Sequence, residues 1–87
     1  MGSPAYFVYV IQCADTTFYT GITTDLERRI DEHNHSPKGA KYTRARRPVV
    51  LCYSEEYPNK SKALKREMAI KKMTRNAKKD LIKKEKS

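Results

Sequence analysis

The sequence predicts an α+β domain: a small three-stranded antiparallel sheet flanked by helices, in the order β-β-α-β-α-α. Three observations predict it. Two aromatic and β-branched runs near the N-terminus, Ala5–Cys13 and Phe18–Ile22, are separated only by turn residues. A third such run, Pro48–Tyr53, stands alone in mid-chain. The stretches that follow the second and third runs have helical spacing and no internal Gly or Pro. With 87 residues there is room for one domain, expected to span 1–87.

Each element has a local reason. Ala5–Cys13 is apolar at odd and even positions alike, which predicts a strand covered on both faces and therefore central. Asp15-Thr16-Thr17 is turn chemistry, so Phe18–Ile22 returns as the second strand of a hairpin. Gly21 in that strand predicts a bulge or a close approach by another group, such as a bulky substrate. Thr24-Asp25-Leu26-Glu27 is a capping box with Thr24 at the cap, and a helix is expected from about Asp25 to His35. Pro37 and Gly39 end it, and Ser36–Thr43 reads as a basic loop. The third strand starts at Pro48 and ends near Glu56, and Tyr57-Pro58-Asn59 turns the chain. Ser61–Thr74 is expected to be helical, and a last short helix, Arg75–Lys84, has Ala77, Leu81 and Ile82 to dock it.

Composition narrows the function classes. The longest apolar run, Ala5–Ile11, is far short of the roughly 20 residues that cross a bilayer. No basic segment and cleavage site mark a leader, and a cytoplasmic protein with no membrane partner is expected. Two cysteines make no disulfide framework. Cys13 and Cys52 read as small hydrophobes; a zinc site with His33 and His35 is the alternative, without the usual ligand spacing. The charge is divided: residues 1–36 carry two basic and five acidic groups, residues 37–87 carry 17 basic and five acidic, and the whole is +9. A polyanion, foremost a nucleic acid, fits that asymmetry; a soluble Lys-rich surface is the plainer alternative.

The informative residues are polar ones on apolar stripes. In the first helix Leu26, Arg29, Ile30 and His33 fall at i, i+3, i+4 and i+7, so Arg29 and His33 border the buried face. Either they serve a site, or Arg29 snorkels over the core and His33 closes the helix end. In the next helix Glu67 shares a line with Ala63 and Ile70, where a carboxylate needs a cation or a metal; a Glu67–Lys71 surface pair is the plain reading. Tyr9 and Tyr19 stand in the two hairpin strands, as core or rim residues or as site hydroxyls.

Taken together, these residues resemble the GIY-YIG nuclease superfamily. Phe7-Val8-Tyr9 resembles the first motif and Tyr19-Thr20-Gly21 the second, with the two tyrosines ten positions apart. Leu26–His33 is similar to the family's helix, with its Arg at Arg29 and a His at His33, and Ala63-Leu64-Lys65-Arg66-Glu67 is similar to the helix that supplies a metal-binding Glu. The resemblance covers nearly the whole chain. It is strongest to the small stand-alone bacterial members, which often have a basic loop like Gly39–Arg44 followed by a Pro and a strand. Phe7 replaces a Gly, Thr20 replaces an Ile, and Ile22 stands where some repair nucleases have a Lys.

The resemblance implies endonucleolytic hydrolysis of phosphodiester bonds with one divalent ion, Mg²⁺ or Mn²⁺, weakly sequence-selective or structure-selective, as in DNA repair or processing. DNA is the expected substrate and RNA is left open. It implies catalytic roles for Tyr9, Tyr19, Arg29, His33 and Glu67. Glu67 would be the metal ligand, Arg29 a phosphate clamp, Tyr19 a base or water-orienting group, Tyr9 a positioner, and His33 a proton relay or phosphate contact. The basic half suggests a grip on phosphates through Lys41, Arg44, Arg46, Arg47, Lys71 and Lys72. Two other classes stay open: a non-catalytic nucleic-acid-binding module on the same fold, and an accessory protein that docks on an unspecified acidic protein partner.

Overall fold

The computed structural model describes residues 5–86; residues 1–4 and 87 of the expected domain lie outside the described residues. Strand β1 (Tyr6–Gln12) lies between β2 (Phe18–Thr23) and β3 (Val50–Tyr57), both antiparallel to it. Helix α1 (Leu26–His35) and a short helical turn α2 (Lys41–Arg44) connect β2 to β3; α3 (Lys60–Lys71) and α4 (Arg75–Lys86) follow. The expected order of strands and long helices is thus observed. The addition is α2, in the stretch expected to be loop throughout.

The central position of β1 follows from its two apolar faces. Val8 and Val10 pack on Ala63 and Ile70 of α3, with Tyr53, Tyr57, Met73, Leu81 and Ile82 around them. Tyr9, Ile11 and Cys13 face the other way, with Val49, Tyr19, Leu26 and Ile30. Each face of a strand carries alternate residues, so β1 serves two small cores at once. The hairpin loop holds Thr16 in the left-handed region (φ 69°), and the Asp15 carboxylate accepts hydrogen bonds from the Thr17 amide and hydroxyl. Between Val10 and Ile11 the register with β3 slips by one residue, from Val10 opposite Tyr53 to Ile11 opposite Leu51, so Cys52 is the extra residue of a bulge.

Several expected boundaries shift, each because a better cap is nearby. β2 runs on to Thr23, and the cap of α1 is Asp25 rather than Thr24: its Oδ1 accepts from the Arg28 amide at 3.1 Å. The expected capping box is therefore out of register by one. α3 begins at Lys60, capped by the Asn59 side chain, which accepts from the Lys62 amide at 2.9 Å. It ends before Thr74, whose hydroxyl accepts from the Ala77 amide as α4 begins. Cys13 and Cys52 are free, and no cluster of three metal-ligating side chains occurs among the described residues, so the zinc alternative falls. No helix among them is long and apolar enough to cross a membrane.

Candidate active site

The site is built around one buried phenol. Tyr9 of β1 is 1% exposed and lies opposite Gly21 of β2. A Cβ at Gly21 would sit 2.5 Å from the Tyr9 oxygen and 2.7 Å from Cζ. The glycine is therefore a seat for the Tyr9 ring. Gly21 makes no bulge, and the space above it holds Tyr9 rather than room for a substrate.

The other side of the phenol meets α1. Tyr9 Oη lies 2.8 Å from His33 Nε2, and His33 Nδ1 lies 2.9 Å from Thr43 Oγ1. The Thr43 hydroxyl donates to the Ala40 carbonyl at 2.9 Å. His33 is fully buried. The burial forced by Leu26 and Ile30, which press α1 on the sheet, carries His33 inward rather than to the helix end. Both its ring nitrogens are occupied and it has no exposed surface, so contact with a phosphate is closed to it. Desolvation, followed by the nearby Arg29 charge, pulls its pKa down to about 4, and the ring is neutral at pH 7.

Three further groups bear electrostatically on Tyr9. Burial pushes its pKa up to about 12; the Arg29 guanidinium opposes that shift, while Tyr19 and Glu67 reinforce it. All three expected partners are thus electrostatic neighbours of one hydroxyl. Arg29 Nη1 donates to Glu32 Oε1 and to the Lys38 carbonyl, both at 3.0 Å. Those bonds fix the guanidinium on the loop side of α1 without using its whole fork of donors. Glu67 has a side chain only 13% exposed, and its one ion pair is with Lys71 at 3.4 Å. The plain expectation of a Glu67–Lys71 pair is met, yet that pair does not place Glu67 at the surface. Tyr19 packs edge-on to His33 (centroids 5.4 Å, 65°) and stacks on Tyr42 (5.9 Å, 24°).

The basic side chains divide by what they touch. Lys41 and Arg44 on α2 are exposed and make no side-chain hydrogen bond or ion pair with the described residues. Lys72, at the end of α3, is exposed as well. Arg46 is half-engaged: it pairs with Asp15 at 2.9 Å, donates to the Tyr42 carbonyl and covers the Tyr42 ring at 3.9 Å. Arg47 turns inward. Its guanidinium donates to the carbonyls of His33, Glu32 and Ser36 and closes the C-terminus of α1. The Glu32 carbonyl also accepts from the Ser36 amide, whereas those of His33 and Ser36 lie at the helix end, where backbone partners run out. The expectation of Arg47 as a phosphate contact is therefore corrected to a cap.

A second cluster contains the same residue types, on the other face of the sheet. Glu55 accepts from the Tyr53 and Tyr57 hydroxyls and from Arg66 Nε and Nη2 (2.9 and 3.1 Å). Four donors satisfy that carboxylate, so nothing remains to bind. Around Tyr9, by contrast, the Arg29 fork and the Glu67 carboxylate retain unused capacity. Residue type alone would not separate the two clusters; saturation does. Sequence reasoning missed Glu55 and also Thr43, Tyr42 and Gly39, all in or beside α2. A Cβ at Gly39 would lie 2.7 Å from the Glu32 carbonyl and 2.9 Å from His33 Cα, so only glycine lets the loop cross α1 there. A short hydroxyl and a glycine inside a basic loop were the signals available.

A divalent ion fits Glu67 in one respect and is limited in another. A half-buried carboxylate that bears on the Tyr9 phenol suits a hard cation that keeps its waters and takes phosphate oxygens as further ligands. Yet no second carboxylate or histidine joins Glu67 to form a three-ligand group among the described residues.

Comparisons with known proteins place the fold in a family. Residues 5–80 match the GIY-YIG catalytic domain. A UPF0213 protein of Desulfotalea psychrophila is 59% identical over 80 residues, 92% of this chain and 73% of that protein. A UPF0213 protein of Streptococcus agalactiae is 52% identical over 84 residues, 97% of this chain and 93% of that one. Among solved structures, the solution structure of a UPF0213 protein from Bacillus halodurans superposes with a TM-score of 0.59 at 42% identity, covering 91% of this chain and 83% of that chain. That of the protein EF2693 from E. faecalis gives 0.64 at 41% identity, covering 95% and 88%. With the family match running over nearly the whole chain, this chain belongs to the GIY-YIG family.

Proposed function

We propose that the protein is an endonuclease that hydrolyses phosphodiester bonds of nucleic acid, DNA foremost, with one divalent ion, Mg²⁺ or Mn²⁺. The observation that carries this reading is the buried Tyr9 hydroxyl, with Tyr19, Arg29 and Glu67 all near enough to bear on its charge. In a small chain with 19 Lys and Arg, an open carboxylate kept mostly out of water is the feature that nucleic-acid binding alone does not need.

The roles follow from position. Arg29 presents its free donors to a phosphate and stabilises the negative charge that grows there. Tyr19 orients the attacking water or takes its proton. Tyr9 fixes that water by accepting a hydrogen bond. His33 holds Tyr9, which replaces the relay or phosphate contact expected for it. Glu67 would hold the ion, which when bound neutralises charge on phosphate oxygens. Lys41, Arg44 and Lys72 grip the backbone, with Arg46 and Lys71 adding what their own partners leave. Such contacts carry little sequence information, so selectivity falls on the structure of the substrate.

One observation favours a second reading, a non-catalytic binding module: Glu67 already has Lys71 as a partner and lacks fellow ligands. A cleavage assay separates the two. Single-stranded, duplex and branched DNA and RNA are incubated with Mg²⁺, Mn²⁺ or EDTA, using wild type, Glu67→Ala and Arg29→Ala. Metal-dependent cleavage lost in both variants, with binding retained by Glu67→Ala, supports the nuclease. Salt-sensitive binding with no cleavage under any metal supports the module.

A further inference from the structure

The hydrogen bond from the Thr43 hydroxyl to the Ala40 carbonyl points to one assignment of protons along the chain from Tyr9 to α2. The Thr43 hydroxyl has a single proton, and it goes to the Ala40 carbonyl. Towards His33 the Thr43 oxygen can therefore only accept. His33 Nδ1 must then be the protonated nitrogen of the neutral ring. His33 Nε2 is left as an acceptor, and the group facing it, 2.8 Å away, is the Tyr9 hydroxyl, which must donate. With its proton committed to the imidazole, the Tyr9 oxygen turns its lone pairs to the site. The chain ends on a backbone carbonyl, so it leads no proton out to solvent; it sets a direction.

We propose that Thr43 is a positioning residue for the reaction: by accepting from His33 Nδ1–H it selects the imidazole tautomer that makes the Tyr9 oxygen an acceptor facing the substrate. The kinetic part of this inference rests on the nuclease reading; the tautomer part does not. The surroundings hold Thr43 where this is required. Its amide donates to the Ala40 carbonyl at 3.0 Å, and its carbonyl accepts from the Arg46 amide at 3.0 Å. The loop before it is tied to α1 by Arg29 Nη1 on the Lys38 carbonyl and by the close crossing at Gly39. The loop after it is tied by Arg47 on the last carbonyls of α1. Thr43 is itself fully buried, so no water substitutes for its oxygen.

The alternative tautomer shows what Thr43 excludes. In Thr43→Val a proton on Nδ1 would have no acceptor in a dry site, and a buried donor without a partner is costly. The ring then protonates Nε2 instead and donates to Tyr9, and the phenol proton swings into the site. A donor stands where an acceptor is needed to fix the attacking water.

Histidine-selective ¹⁵N NMR at neutral pH reads the tautomer directly, on wild type, Thr43→Val and Thr43→Ser, with thermal unfolding alongside. The expected result is protonated Nδ1 in wild type and Thr43→Ser, and protonated Nε2 in Thr43→Val. In the cleavage assay Thr43→Val is expected to lose roughly 10–100-fold in kcat with KM unchanged, as a misplaced reacting group does, and Thr43→Ser to recover most of it. If Thr43→Val does not fold, Thr43→Ala takes its place in both readouts. An unchanged Nδ1–H tautomer in the folded variant overturns the proposal whatever the cleavage rate. A switched tautomer with unchanged kcat overturns the positioning role. A wild type that cleaves nothing refutes the nuclease reading and with it the kinetic role, while the spectra still decide the tautomer.

Discussion

The seat of Tyr9 on Gly21 can be tested by adding one methyl group. No glycine among the described residues has a positive φ, so the constraint at position 21 is steric rather than one of backbone conformation. In Gly21→Ala the new Cβ lies 2.5 Å from Tyr9 Oη, 2.7 Å from Cζ and 3.0 Å from Cε1. Comfortable contact needs about 3.5 Å, so the ring must withdraw by about 1 Å. His33 Nε2, 2.8 Å beyond the hydroxyl, blocks that path. Either the hydrogen bond is compressed or the ring turns out of it. Overpacking costs about 1–3 kcal/mol, and a broken buried hydrogen bond adds about 1–3 kcal/mol. The expected loss in Gly21→Ala is about 2–5 kcal/mol, measured by urea unfolding. A double-mutant cycle with Tyr9→Phe isolates the cause. Phe removes the nearest atom and the bond to His33, so Gly21→Ala is expected to cost at least 1 kcal/mol less in that background. Additive effects, or a loss below about 0.5 kcal/mol, would refute the seat.

Four further outcomes are expected. Thr20 is 3% exposed and its hydroxyl has no partner, so Thr20→Val, which removes an unsatisfied buried oxygen, should stabilise the fold by about 1 kcal/mol in thermal or urea unfolding. Arg47→Ala takes their side-chain donor from the His33 and Ser36 carbonyls at the end of α1 and should cost about 2–3 kcal/mol of stability. Lys41→Ala and Arg44→Ala should leave the melting temperature unchanged while weakening nucleic-acid binding and lowering its salt slope by about one each. His33 titrates near 4 when folded and near the ordinary imidazole value of 6.5 when unfolded, so the unfolded chain binds the extra proton between those values. Its contribution to stability is full above pH 6.5 and is lost as pH falls to about 4, on the order of 3 kcal/mol. Urea unfolding across that window, with the His33 ring signals followed by NMR, checks both the sign and the range.

What the sequence disclosed, and what it hid, follows from how far each signal reaches along the chain. The double-faced apolar run of β1 could only be central, and the paired helix and hairpin spacings left one topology. Glu67 was visible because a carboxylate on a line with Ala63 and Ile70 is anomalous within a single helix. Arg47 was not legible. In one dimension it is another cation of a basic loop, and its capping of α1 depends on the path of that loop across the helix. Thr43 was hidden for the same reason, since its partner His33 lies ten positions away on a different element. Thr24 was mistaken for the cap because the end of a strand and the start of a helix share turn-forming residues, and Asp25 had the better-placed oxygen.

The contact between Tyr9 and Gly21 also bears on how such a chain can change over generations. The glycine of the second motif makes no demand of its own on the backbone; it is small because a phenol from the first motif occupies its space. The two positions are inherited as one unit. A descendant that exchanged Tyr9 for a smaller residue would lift the restriction on position 21 at the same stroke, and larger residues could then accumulate there without harm to the sheet. Once filled, the position would bar the tyrosine from returning, so loss of the phenol would be a step that reversion at a single codon could not undo.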